Sequence, residues 1–253
     1  MSTDLGTWPE GVARHVLARV ETTMAEASRL APHLAGPAWI LAHEQTAARG
    51  RRGRPWRMPP GNFAATLVFH PPGGPAHAAL YSFVAALALD EALGYLLGPA
   101  ARLSIKWPND VLLNGGKIAG ILLESLGIGG QISHLTVGIG VNLAAAPPPA
   151  DLEPGAMAPV SVAGETGLTI TPEELLTPLA AAFDRRARQF ETYGFAPIRT
   201  AWLARAARLG EKVIARTTTE THEGVFETID ESGAMILRTA HGPRAIAAAD
   251  VFF

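Results

Sequence analysis

The sequence predicts an α+β chain, with a mixed, largely antiparallel sheet carrying helices on one face, followed by a small all-β C-terminal module. Three observations carry that expectation. Residues 102–107, 110–114, 117–124 and 131–143 read as four strands in close succession, separated only by Pro108, Gly115-Gly116 and the glycine-containing run 127–130; strands joined by tight turns pair antiparallel. Two longer stretches, opening at Pro75 and at Thr171-Pro172, have helical length. After Gly210 only short β-forming runs remain, at residues 213–216, 223–228, 234–239 and 244–252.

In chain order, residues 14–20 read as a short strand. Thr23-Met24-Ala25-Glu26 has the spacing of a capping box, with Thr23 capping a helix that runs toward Leu34. Residues 38–44 form a buried strand, and residues 62–70 a second one rich in β-formers. Pro75 then sits at a helix start, with apolar residues continuing to about Leu97. Residues 144–159 are proline-rich and read as a mobile loop. Thr171 is a helix cap with Pro172 in the first position and Glu173 and Glu174 in the first turn, and Gly194 ends that helix. A further helix is expected over residues 197–209. The expected domains are residues 1–208 and 209–253.

Composition narrows the function. With 253 residues, 48% of them hydrophobic, the chain can bury a sizeable core. A net charge of −2 gives no general field for DNA or an anionic membrane, so no partner of either kind is expected. The absence of cysteine excludes disulfides, thiolate catalysis and cysteine-ligated metal, and fits a cytoplasmic protein. Residues 1–10 lack the apolar core of a signal peptide. Between Arg57 and Asp90 no Lys, Arg, Asp or Glu occurs, but prolines interrupt the stretch, and its unbroken part is expected to fall short of the ~20 residues of a membrane helix.

Against that balance, Ala48-Arg49-Gly50-Arg51-Arg52-Gly53-Arg54-Pro55-Trp56 concentrates four arginines in six residues. Guanidinium forks pair with phosphate or carboxylate, and the glycines let backbone N–H groups come close to an anion. Alone, such a run is as readily a solvated basic loop. A second segment, running from Lys106-Trp107-Pro108-Asn109-Asp110 through Gly115-Gly116-Lys117 to Glu124, reads as strand, turn, strand, with a carboxylate before the turn and a lysine after it. A third, Gly138-Ile139-Gly140-Val141-Asn142, ends a strand. Neither glycine pattern is a nucleotide fingerprint: Ile118 stands where a P-loop needs Ser or Thr, and Gly138-Ile139-Gly140 lacks the third glycine of a dinucleotide fold.

In this order the three motifs resemble the biotin protein ligase family, from about Val20 to the C-terminus. The resemblance implies a class II synthetase-like biotin/lipoyl ligase fold with an SH3-like C-terminal barrel. It also implies an ATP-dependent activity that makes biotinyl-5'-AMP and passes biotin to a lysine of a biotin carboxyl carrier domain in a biotin-dependent carboxylase. Lys117 and Arg51 match the catalytic positions. Thr22, Thr23, Gln45, Arg49, Gly50, Arg51, Lys106, Asn109, Lys117, Gly120 and Asn142 match positions that hold biotin and ATP, and Asp110 matches the carboxylate that places Mg2+ on the phosphates. Pro159 and Val160 fall where adenine is covered. Met24 and Ala48 depart from the family pattern, which has an asparagine and a glycine there; the first change affects the biotin end, and the second puts the loop's geometry in question. Bifunctional family members carry an N-terminal DNA-binding domain, for which too little chain precedes Val20, so a ligase alone is expected, with homodimerisation through a strand edge left open. The rivals are a lipoate or octanoate protein ligase or transferase of related fold, and a non-catalytic nucleotide- or RNA-binding protein.

Overall fold

The computed structural model describes residues 5–128, 131–148 and 157–252. The turn expected at 127–130 and the proline-rich loop at 144–159 therefore lie partly outside the described residues. Seven strands form the main sheet: β1 (Ala13–Val20), β2 (Ala38–Gln45), β3 (Phe63–Phe69), β4 (Leu103–Lys106), β5 (Asp110–Leu113), β6 (Gly116–Ile128) and β7 (Gln131–Val141), in the order β1-β2-β3-β7-β6-β5-β4. Only β1 and β2 are parallel neighbours; every other pair is antiparallel, as the tight turns predict. The β5–β6 hairpin turns at Asn114 (φ 51°) and Gly115 (φ 90°), the left-handed pair that an Asn-Gly turn supplies at low cost, so Gly116 already belongs to the strand.

Helices α2 (Pro75–Ala79), α3 (Tyr81–Leu97), α5 (Pro172–Tyr193) and α6 (Phe195–Leu203) lie together on one side, where α3 and α5 cover the sheet. The stretch Pro75–Leu97, expected to be too interrupted for a membrane span, is long and apolar enough to qualify by composition, but it is mostly buried here. Trp39, Phe69, Tyr81 and Phe183 pack edge-on or stacked between sheet and helices. Period two divides each strand: Trp39 and Leu41 of β2 join this main core, whereas Ala38 and Ile40 face a smaller cluster with Ala27 of α1 (Thr23–Leu30).

The start of α1 corrects one expectation. Thr22, not Thr23, is the cap: its backbone is extended and its Oγ1 accepts from Ala25 N at 2.9 Å. Glu26, one residue too late to close a capping box on Thr22, accepts instead from Arg29. The Thr171 cap expected at α5 is present, and it extends to a full capping box, with Thr171 and Glu174 bonded reciprocally. A short helix, α4 (Val162–Thr166), capped by Ser161, was not foreseen.

The C-terminal module comprises β8 (Lys212–Arg216), β9 (Thr221–Ile229), β10 (Met235–Thr239), β11 (Gly242–Ile246) and β12 (Asp250–Phe252), ordered β11-β10-β9-β8-β12. The single strand expected at 244–252 is thus two strands on opposite edges of one sheet. The four Cα steps from Ile246 to Asp250 reach about 14 Å at most, whereas five flat strands would set those edges about 19 Å apart. The sheet must curl, as a small barrel does.

Helix α6 ends six residues before the expected Leu209 because residues 205–207 pair with β4: Ile105 N donates to Arg205 O and Ala207 N to Ile105 O, both at 2.8 Å. The Arg205 side chain reaches Asp90 of α3 with two bonds, at 2.9 and 3.0 Å, and also donates to Leu103 O. Trp107 Nε1 donates to Gly233 O at 3.0 Å, fixing the module from the other side. Burial pushes the Asp90 carboxyl up, and the Arg205 hydrogen bond and charge oppose that shift. Removal of Arg205 leaves a buried carboxylate alone, so Arg205→Ala should cost about 3–5 kcal/mol. Asp90→Ala leaves a half-exposed guanidinium that water can reach, at about 1–2 kcal/mol. Since folded Asp90 then holds its proton more tightly than the unfolded chain does, the deficit of Arg205→Ala should widen as pH rises from 4 to 7. Urea unfolding at both pH values checks the order and the sign.

Candidate active site

On the face opposite α3 and α5, α1 packs against β2, β3 and β7, and beyond it the sheet is nearly bare. Along β7, Leu135, Val137, Ile139 and Val141 enter the main core, while the alternate positions are Thr136, Gly138, Gly140 and Asn142. Gly140 pairs with Gly120 of β6 on one side and Ala64 of β3 on the other, so three neighbouring strands present a floor almost without side chains. Trp56 lies on it: a Cβ at Gly140 would meet the indole at 2.7 Å, and one at Gly120 at 3.3 Å. Met24 occupies the next place, with its sulfur 2.6 Å from where a Cβ of Gly138 would stand. Above this floor is a cavity of about 800 Å³.

Thr22, Thr23, Gln45, Arg49, Gly50, Arg51, Lys106, Asn109, Asp110, Lys117, Gly120 and Asn142 all line that cavity, as does Pro159, whereas Val160, expected with Pro159 over adenine, does not. At one end lies a closed set of hydrogen bonds. Thr66 Oγ1 donates to Thr23 Oγ1 at 2.8 Å, Thr23 donates to Gln45 Oε1 through its N–H (2.8 Å) and its hydroxyl (3.2 Å), and Gln45 Nε2 reaches Met58 Sδ at 3.6 Å. At the centre, Lys117 Nζ is 2.7 Å from Asp110 Oδ1 and 5.8 Å from the Trp56 ring centroid. β6 is interior to the sheet, so Lys117 is no solvated edge lysine. Lys106 stands at the end of β4; burial pushes its pKa down, helped by the charges of Lys117 and Arg51 and opposed by Asp110 and Asp250.

The arginine loop divides its charges. Arg49 turns outward to Glu124 (3.4 Å), and Arg51 turns inward to Asn109 Oδ1 (3.3 Å), where desolvation lowers its pKa despite Asp250 and Asp110. Arg52 and Arg54 share Asp250 Oδ2, at 2.7 and 2.9 Å. Left-handed backbone falls at Arg52 and Gly53 and not at Ala48, so the alanine found where the family has glycine takes no conformation that requires one.

The described end of the proline-rich segment is held in place: Lys117 N donates to Ala158 O (3.1 Å), Val160 N to Lys117 O (2.9 Å), and Asn142 Nδ2 to Val160 O (3.1 Å). Met157, Ala158 and Pro159 form that wall, while Val160 packs against Gly116. Two contributors went unread. Asn62 is buried and accepts from Ala144 N and Ala145 N while donating to Ala145 O and Asn142 Oδ1, tying β3 to the end of β7; its place after Pro59-Pro60-Gly61 was the available signal. Asp250, with Arg216 and Phe252, closes the cavity from the C-terminal module, beside Arg208 just before it, and no local pattern marks Asp250.

A cavity floored by glycine and lined by lysines and arginines against two aspartates is suited to anionic groups such as a carboxylate and a phosphate. The chain belongs to the biotin/lipoate A/B protein ligase family, whose model matches residues 16–142, and residues 209–253 match the biotin protein ligase C terminal domain. It is similar to the biotin–[acetyl-CoA-carboxylase] ligase of Paracoccus denitrificans, 64% identical over 94% of this chain and 99% of that one. It also resembles the bifunctional ligase/repressor of Bacillus subtilis, 32% identical over 84% of this chain but only 65% of that protein. Among solved structures, the biotin protein ligase from Aquifex aeolicus in complex with biotin and ATP superposes with a TM-score of 0.79 at 24% identity, covering 94% of this chain and 98% of that one.

Gly140 has an ordinary backbone, so Gly140→Ala tests the seat of Trp56 alone. The added methyl should expel the indole at a cost of about 1–3 kcal/mol. A lower thermal midpoint with a red-shifted tryptophan emission is the expected result, and the shift should vanish in a Trp56→Phe background.

Proposed function

We propose that this chain is an ATP-dependent biotin protein ligase that forms biotinyl-5'-AMP and transfers biotin to a lysine of the carrier domain of acetyl-CoA carboxylase, in the cytoplasm. The observation that carries the reading is Lys117, paired with Asp110 in a cavity that Lys106 and Arg51 also face. In the first step a biotin carboxylate oxygen attacks the α-phosphorus of ATP and pyrophosphate leaves. Two anions must meet, and fixed cations in a site of reduced hydration lower that barrier most in the transition state, where charge gathers between them. In this reading Lys117 bridges the carboxylate and the α-phosphate while Asp110 holds its ammonium in place. Lys106 and Arg51, both disfavoured as cations by burial, gain most when phosphate arrives. In the second step the carrier lysine's neutral amine attacks the carbonyl of the mixed anhydride, AMP leaves, and the amine loses its proton.

Thr22, Thr23 and Gln45 are assigned to the biotin ring, Asn109, Gly120 and Asn142 to the floor and rear of the nucleotide site, and Arg49 and Gly50 to the loop above it. Support comes from their common cavity and from the 64% identical relative. The division at residue 208/209 belongs to the same reading, supported by the C-terminal family match. Asp110 and Asp250 are the carboxylates lining the cavity, and no group of three metal-ligating side chains occurs among the described residues. That donor set fits a magnesium ion carried in on the triphosphate and steadied by Asp110; such an ion would neutralise phosphate charge.

Lys117→Ala should fold normally and lose at least about a hundredfold in biotin-dependent exchange of labelled pyrophosphate into ATP. Near wild-type exchange removes Lys117 from the mechanism. Biotin should raise the melting temperature, and biotin with MgATP should raise it further as adenylate accumulates. A larger shift with lipoate than with biotin overturns the substrate.

A further inference from the structure

Among the described residues, the arginine loop meets the rest of the molecule through the seat of Trp56 and through polar contacts of its arginines. Within it, Gly50 N donates to Arg54 O, Arg54 N to Arg51 O, and Trp56 N to Ala48 O. Outward, Arg49 meets Glu124 at 3.4 Å and Arg51 meets Asn109 at 3.3 Å, both long for charge-assisted contacts. The short bonds are those of Arg52 and Arg54 to a single oxygen of Asp250, nearly two hundred residues away on another sheet. Arg52 moreover sits at φ 57°, a left-handed conformation that a non-glycine residue keeps only where its surroundings hold it.

Asp250 is suited to hold it. It opens β12, a strand paired with β8 and anchored by buried Val251, so its carboxylate is carried on a fixed element. Burial would raise the Asp250 carboxyl, but the Arg54 hydrogen bond and the charges of Arg54, Arg52 and Arg51 outweigh it and hold the group ionised below the usual carboxylate range. The same pairing draws Arg52 and Arg54 toward the module and leaves Arg51 to face the floor.

We propose that Asp250 is a positioning residue of the ligase site, the catch by which the C-terminal module holds the arginine loop over the cavity and sets how long a bound adenylate is retained. The retention clause rests on the ligase reading; the catch itself does not. Asp250 touches no reacting atom and acts through Arg52 and Arg54.

Limited trypsin digestion of the ligand-free full chain tests the catch, because Arg49, Arg51 and Arg52 are cleavage sites inside the loop. Asp250→Asn, which keeps the shape and removes the charge, should be cut there about tenfold faster than wild type, with cleavage elsewhere unchanged. Asp250→Glu should fall between the two. Loop cleavage at the wild-type rate overturns the proposal. So does faster cleavage that appears equally at Lys212, Arg216, Arg238 and Arg244, since that marks a loosened module. The second arm follows release of preformed biotinyl-AMP, which should be about tenfold faster in Asp250→Asn; a normal release rate from a loop that is cut faster removes the retention role. If wild type forms no adenylate while the digestion result stands, the ligase reading fails and the catch survives.

Discussion

Like charges crowded around one half-dry cavity are the constraint on which the rest of the site depends. Arg49, Arg51, Arg52, Arg54, Lys106 and Lys117 all line it, against Asp110 and Asp250. Their mutual repulsion grows as water is excluded, and a chain of this length has only limited stability to set against it. The structure answers by giving cations separate acceptors: Asp110 to Lys117, Asp250 to Arg52 and Arg54, Glu124 to Arg49, Asn109 to Arg51. Arg51 meets a neutral amide, and burial depresses both it and Lys106 although the charges of Asp110 and Asp250 act the other way. An anion entering beside these two side chains would favour their charged forms.

That arrangement needs a scaffold that brings cations in without filling the space between them. The alternation of β7 and β6 supplies it, with large apolar residues toward the helices and Gly120, Gly138 and Gly140 toward the cavity. One strand thus contributes to the core and clears the floor, because successive side chains leave opposite faces. The bare floor admits Trp56, which brings the arginine loop's far end down beside Lys117. The C-terminal module then closes the side the sheet leaves open. Its seating through Arg205, Trp107 and Gly233 is part of the same construction, since Asp250 can meet the loop only if the module's angle is fixed.

What was legible in the sequence was whatever a short window encodes. The tight turns between β4, β5 and β6, the Thr171 cap and each of the three motifs taken singly depend on neighbours within about twenty residues, and each lies where it was expected. Readings failed where a distant partner decides. Residues 204–209 have helical composition, but Arg205 and Ala207 pair with Ile105 of β4, and Thr23 has cap chemistry, but its hydroxyl is bonded to Gln45 and Thr66 while Thr22 caps the helix. The break between β11 and β12 follows from closure of a sheet, which no single strand contains. Asp250, in the plain run Ala-Ala-Asp-Val-Phe, acquires its meaning from arginines nearly two hundred residues earlier.

The cation centre cannot by itself tell one carboxylate from another, so discrimination must lie at the other end of the cavity. There Thr66, Thr23 and Gln45 satisfy one another within a closed set, and Met24 covers Gly138. On the proposed reading, a ureido ring entering this end exchanges hydrogen bonds with that set, donor for donor and acceptor for acceptor. A dithiolane ring offers no such exchange and must either leave the set intact by stopping short or break it without replacement. Sites built to hydrogen-bond a ligand's polar atoms reject analogues lacking them by far more than apolar contact alone achieves. The thioether of Met24 adds contact area without adding a polar group that needs a partner. On that reading the polar share of ring selection would rest on Thr23 and Gln45, with Met24 shaping the space they face.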